Sequence, residues 1–141
     1  MTGRIWLVLL LLVAVTGGGI YYYYGRQSGT KSQSTNPDIQ ITQPAANSTV
    51  ASPLTVTGQA VGSWYFEASF PIKLYSSGNT LIGQTTAQAQ GNWMTTSMVP
   101  FIATFVFPAQ AAGSTGILVL AKDNPSGLPA NADSYSIPVQ F

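Results

Sequence analysis

The chain has no cysteine and no histidine among its 141 residues. The first absence excludes disulfides, thiol catalysis, cysteine metal sites and attachment through a lipidated N-terminal cysteine. The second excludes a serine–histidine triad, and no GxSxG elbow is present to expose a serine nucleophile. With neither residue available, only hard oxygen ligands remain, so a bound metal would be Ca²⁺ rather than a transition metal. Charge is scarce as well. There are 5 Lys and Arg against 4 Asp and Glu, and charged residues make up 6% of the chain, where soluble domains average roughly a quarter. The cations Arg4, Arg26, Lys31, Lys73 and Lys122 are scattered. No cluster exists to displace phosphate counterions, so nucleic acid is not an expected partner. Low charge with ample Thr, Ser, Gln and Gly fits a β-rich extracytoplasmic protein.

Long apolar stretches are absent except at the start, where Arg4 precedes an uncharged run from Ile5 to Tyr24. Twenty residues at about 1.5 Å each reach roughly 30 Å, the thickness of a bilayer core. Residues 1–24 are therefore expected to form a transmembrane anchor. The alternative is a cleaved signal peptide, with Ile5–Val15 as its apolar region and small residues at 14–19 for cleavage. Tyr21, Tyr22, Tyr23 and Tyr24 favour retention, because amphipathic rings settle at the membrane interface. Gly17–Gly19 weigh against it by weakening a helix. Either way the remainder is expected beyond the cytoplasmic membrane, as the extracytoplasmic part of a single-pass protein or as a secreted one. Residues 25–36, GRQSGTKSQSTN, have almost no apolar side chain and read as a flexible polar linker. Residues 37–141 remain as the folded domain, close to the ~100 residues of an immunoglobulin-type sandwich.

Within that domain the apolar residues alternate with a period of two, as in half-buried strands. Ile39 and Ile41 share a face in DIQIT, as do Leu54 and Val56 in PLTVTG. The longest alternation puts Phe66, Ala68, Phe70, Ile72 and Leu74 in phase, and Tyr135, Ile137, Val139 and Phe141 close the chain in the same manner. FIATFVF and GILVLA are apolar on both phases and read as more central strands. PAANS, SSGN, QGN and DNPSG supply turn signals, and Asn124, Pro125, Ser126 and Gly127 fit the four positions of a type I turn. Pro71 and Pro138 interrupt strands and should lie at edges or bulges. The expected architecture is all-β, an immunoglobulin-like antiparallel sandwich of about seven strands.

Three segments, GSWYFEASFP (62–71), GNWMTTSMVPF (91–101) and LVLAKDNPSGLP (118–129), follow ITQPAANSTVASPLTVTGQA (41–60) in order. In these residues the chain resembles the immunoglobulin-like domain of bacterial spore germination, over essentially all of 37–141. That domain follows the sporulation and germination domain of GerM-type proteins and stands alone in many anchored bacterial envelope proteins. The resemblance implies an immunoglobulin-like sandwich with an extracytoplasmic role in interaction, related to germination or sporulation. No catalytic residues are established for the family, so it implies no enzyme.

Glu67 is the only glutamate, set among Trp64, Tyr65, Phe66 and Phe70. Alternation places it opposite the Phe66–Phe70 face, with Lys122 and the DNPSG loop as expected partners in a structural contact. A cell-wall hydrolase would need a second carboxylate about 5–9.5 Å away. Asp38, Asp123 and Asp133 are available, but no spacing rule selects one. Asp123, Asn124 and Asp133 bracket a loop without an EF-hand pattern, and no metal or cofactor is expected. Asp123, Asn124, Pro125, Ser126, Gly127 and Asp133 are the loop and partner-binding candidates. Trp64, Tyr65 and Trp93 read as core residues first and as sugar-stacking surfaces second; Met94 and Met98 read as packing residues. Asn47-Ser48-Thr49 fits the glycosylation pattern but reads as a turn. The expected function is non-catalytic recognition of a protein or cell-wall polymer. The alternative is a structural subunit that self-associates through strand edges.

Overall fold

The computed structural model of the protein describes residues 35–141. The anchor or signal segment at 1–24, its four tyrosines and nearly all of the 25–36 linker lie outside the described residues. Among the described residues no helix is long and apolar enough to cross a membrane.

Among the described residues seven strands follow one another: β1 (Ile39–Gln43), β2 (Leu54–Val61), β3 (Ser69–Ser76), β4 (Leu81–Ala89), β5 (Met98–Phe105), β6 (Thr115–Ala121) and β7 (Ser134–Gln140). They form an antiparallel sheet in the order β1-β2-β5-β4-β3-β6-β7. The sheet is nearly cut in two at its middle, where β4 and β5 pair only through Gln88↔Ile102 and Ala89↔Phe101. On one side lie β1, β2 and β5; on the other β4, β3, β6 and β7. Both halves turn their alternating apolar residues onto a common core, as a sandwich requires. Val56, Ala60 and Phe101 come from the first half, and Phe70, Ile72, Leu74, Leu118, Leu120 and Ile137 from the second. The Phe70 and Phe101 rings meet edge-to-face across the core at 5.0 Å.

Period-two patterning is why these segments are strands. β2 reads buried–exposed along its length at Leu54, Val56, Gly58 and Ala60, and β5 repeats this at Val99, Phe101, Ala103 and Phe105. The second apolar phase of β5 and β6 has a different fate. Ile102 and Ile117 remain exposed at 41% and 48%, because among the described residues no third layer covers the outer faces.

Three prolines interrupt strands, and each has its missing N–H turned away from a ladder. Pro138 lies on the edge strand β7 and its carbonyl accepts from Asn47 N on the outer side. Pro71 pairs with Thr86 just beyond the β3–β6 ladder, which begins at Ile72↔Leu120. The Pro100 carbonyl accepts from Gln90 N, so this residue faces β4 rather than β2.

The longest alternation in the sequence does not continue as one strand. Phe66 and Ser69 exchange both main-chain hydrogen bonds, at 3.0 and 3.1 Å, around Glu67 (φ 50°) and Ala68 (φ 63°). This is a two-residue turn with both central residues left-handed, the type I′ geometry. β3 therefore starts at Ser69, and Phe66 is 44% exposed instead of facing the core. Ahead of it Gly62–Trp64 forms a single 3-10 turn, which breaks the period and lets consecutive Trp64 and Tyr65 both be buried.

Near the start of the described residues, Asn36 Nδ2 donates to Asp133 Oδ2 at 3.1 Å. After β1 the chain crosses to the opposite edge. There Asn47 N donates to Pro138 O, Gln140 N to Ser48 O and Val50 N to Gln140 O, a parallel contact centred on Thr49↔Gln140.

Candidate functional site

Antiparallel topology puts the β2–β3, β4–β5 and β6–β7 connections at one end of the sandwich. These are residues 62–68, 90–97 and 122–133, which carry most of the three motif segments. Gly62 fixes the first against the second: a Cβ there would collide with the carbonyl oxygens of Trp93 and Thr95. A hydrogen bond from Asp123 N to Trp64 O (3.0 Å) fixes the first against the third.

Beneath them sits an aromatic cluster. Trp64 is fully buried and Tyr65 is 4% exposed; both pack edge-on to Phe70, with ring centroids at 5.7 and 5.2 Å. Tyr65 OH donates to Val99 O at 2.7 Å. Burial pushes this hydroxyl up to about 12, against a smaller opposing effect of a main-chain hydrogen bond from Ala60. Trp64 Nε1 is buried without a hydrogen-bond partner among the described residues. Trp93 is half-buried and packs on the core. Met94, in the same loop, is 75% exposed and not a packing residue. The 90–97 loop turns it outward.

The 122–133 loop is held by its own side chains. Gly127 N donates to Asn124 O at 3.0 Å, closing the expected turn. Ser126 Oγ donates to Asn124 Oδ1 (2.6 Å) and accepts from Leu128 N (3.2 Å) and Asn131 Nδ2 (3.0 Å). Asn124 Nδ2 closes the ring on Leu128 O at 2.9 Å. Asp133 is engaged by Ser134 N as well as by Asn36. Asn124, Ser126 and Asp133 therefore serve the loop itself. Among the described residues no group of three or more acidic side chains is placed to hold a metal ion.

Between this loop and the 63–66 segment lies a cleft of about 240 Å³, slightly below the 300–1,000 Å³ usual for small-molecule pockets. It would take one sugar ring or one side chain rather than a large ligand. Ser63 and the Phe66 ring form one wall, and Lys122, Asp123 and Pro125 the other. The side chains of Lys122 and Asp123 have no hydrogen bond or ion pair among the described residues and stay half-exposed. Glu67 is exposed at the apex of its turn. Among the described residues it makes no ion pair with Lys122 or with the loop, because the turn carries its Cα past the strand direction that alternation assumed. Sequence reasoning passed over Ser63, Phe66 and Asn131 as cleft residues. Their only signal was adjacency to Trp64 and to the DNPSG turn.

A family profile, described as the immunoglobulin-like domain of bacterial spore germination, matches residues 38–127. The matched span covers the first two loops and ends on the turn of the third. No curated protein and no solved structure matches the chain.

Proposed function

The chain belongs to the family of immunoglobulin-like domains of bacterial spore germination, and from that membership we propose that it is a non-catalytic recognition module, tethered to the outer side of the cytoplasmic membrane, that binds a protein or a cell-wall polymer. The observation that carries this reading is the loop-end cleft. Its floor is a packed aromatic cluster, its loop is internally hydrogen-bonded, and an exposed ring, an ammonium and a carboxylate at its mouth have no polar partner among the described residues. A preorganised loop loses little entropy on binding, and sandwich-end loops are where such scaffolds carry recognition. The uncharged run from Ile5 to Tyr24 supports the tether.

The test is co-sedimentation of the detergent-solubilised full chain with purified peptidoglycan sacculi, and capture of solubilised envelope proteins on the immobilised chain. Retention in either, lost in Phe66→Ala and Asp123→Asn with the fold intact, is the expected result. Retention indifferent to both substitutions would remove the cleft from the reading. Muropeptide release that disappears in Glu67→Gln would make the protein a hydrolase instead. A self-associating structural subunit is the second reading, and the open part of β4 favours it.

A further inference from the structure

Among the described residues the sheet has three free stretches of strand edge longer than three residues, and two of them are blocked. On β7 the segment 47–50 covers the C-terminal half, where Pro138 also withholds a donor. On β1 the register slips between Ile41 and Gln43, directly before Pro44. Bulges, prolines and covering segments are the devices by which proteins prevent edge-to-edge pairing. The third stretch has none of them. β4 is paired to β5 only at Gln88 and Ala89, so among the described residues its side away from β3 has no neighbour in the ladder from Ile82 to Ala87. That stretch, IGQTTA, contains no charge and no proline.

The direction of its main-chain groups follows from the bonds at its end. Ala89 N donates toward Ala68 on the β3 side, and Gln90 N donates to Pro100 on the β5 side. Alternation then turns the N–H and C=O of Gln84 and Thr86 outward, and both side chains are exposed.

The geometry points to a second copy of this chain as the occupant, with β4 pairing antiparallel to β4 about a twofold axis at Thr85. Gln84 of one copy then faces Thr86 of the other, and the reverse, as two hydrogen-bonded pairs that each exchange two main-chain bonds. Thr85 faces its own symmetry mate in the closer, non-hydrogen-bonded position. The surface is neutral and therefore compatible with itself. Lys73, which pairs with Gln84 on β3, is the nearest charge. Three strand spacings of about 4.8 Å and an offset of two residues at about 3.4 Å place the two Lys73 residues about 16 Å apart. That is roughly twice the screening length of about 8 Å at physiological ionic strength, so they do not oppose the pairing. The pairing runs from Gly83 to Ala87 and stops there, because the side of Gln88 that Ile82 of the second copy would meet is already bonded to Ile102. A contact of this extent belongs to the small, concentration-dependent class of interfaces. It locates the self-associating reading on one strand and leaves the loop-end cleft free, so the two stand or fall separately.

Because the chain has no cysteine, Thr85→Cys introduces a unique thiol at the proposed axis. Facing residues at a non-hydrogen-bonded position lie about 4.5 Å apart between Cα atoms, within disulfide range. The full chain carrying Thr85→Cys, in mild detergent with copper–phenanthroline, is expected to form a disulfide dimer on non-reducing gels. Gln59→Cys, on a strand flanked on both sides, is expected to stay at background. Adding Thr86→Lys to Thr85→Cys should abolish the dimer while near-ultraviolet circular dichroism remains native; Thr86→Pro, which removes only the outward N–H, is the second disrupting variant. A monomeric Thr85→Cys at every concentration would overturn the proposal and leave the edge to a strand from a different protein. Equal cross-linking at Gln59→Cys, or a dimer unchanged by both Thr86 substitutions, would overturn it as well.

Discussion

Gly62 offers the sharpest test of how the loop end is assembled. Its φ is not in the left-handed region, so an alanine there meets no conformational strain; the obstacle is space alone. The added Cβ would overlap the carbonyl oxygens of Trp93 and Thr95, and main-chain atoms cannot rotate aside as a side chain can. Either the 90–97 loop or the 62–68 loop must move, which disturbs Trp64, Asp123 N and the cleft together. Overpacking costs about 1–3 kcal/mol, and two main-chain contacts place Gly62→Ala near the top of that range. At about 4 °C per kcal/mol for a domain of roughly 100 residues, the melting temperature should fall by about 12 °C. Gly91→Ala is the matched control, since nothing lies within 4 Å of its added Cβ. It should melt at the wild-type temperature or slightly above, because alanine reduces the freedom of the unfolded chain. The assay is thermal unfolding of the full chain in mild detergent, followed by near-ultraviolet circular dichroism. Gly62→Ala melting within about 2 °C of wild type would refute the packed junction between the two loops.

Further outcomes are expected elsewhere. Glu67→Gln should change stability by less than about 0.5 kcal/mol, since the carboxylate is exposed and unpaired among the described residues; a large loss in chemical denaturation would show a contact that the fold does not contain. Ala68→Gly should stabilise by about 0.5–1 kcal/mol, because alanine at φ 63° carries the left-handed penalty that glycine escapes, and an unchanged denaturation midpoint would count against the type I′ turn. The raised Tyr65 pKa means that the folded state holds this proton more tightly than the unfolded state does. Its contribution is complete below about pH 10, the value expected in the unfolded chain, and is lost as pH rises through about 12; Tyr65→Phe should remove that alkaline component from the pH–stability profile. Ser126→Ala breaks three hydrogen bonds of an exposed loop, so amide exchange should accelerate at Leu128 while global melting barely moves.

The strand faces were legible because burial follows a period of two wherever the strand is regular. Leu54 and Val56, Phe70 to Leu74, and Ile137 and Val139 all point where alternation puts them. The DNPSG turn was legible for a local reason, proline fixing φ inside a four-residue signature. The junction at 66–69 was not. Type I′ turns announce themselves through Asn-Gly or Asp-Gly, and here Glu67 and Ala68 occupy both left-handed positions inside an unbroken apolar alternation. Missing that turn put Phe66 on the core face and gave Glu67 a partner in Lys122 that it does not have among the described residues, since alternation holds only where the strand is continuous. The cleft was hidden for a different reason. Its walls come from residues about sixty positions apart, and their meeting depends on Gly62 and on one main-chain bond from Asp123, neither of which leaves a pattern in the sequence.

The parallel contact between residues 47–50 and the end of β7 also bears on mechanics. Tension applied between Asn36 and Phe141 draws β1 and its continuation one way along the strand axis and β7 the other. The bonds at Asn47, Ser48 and Val50 then lie across the direction of pull and are strained together in shear, instead of parting one after another as in a peeled hairpin. The β1–β2 ladder is loaded in the same sense. Resistance to such a pull is set by the rate of crossing the unfolding barrier rather than by equilibrium stability. Val50→Pro, which deletes one of the three donors, should lower the rupture force in single-molecule pulling. A domain clasped in this way would resist a pull along its length more than one held only by a peeled hairpin.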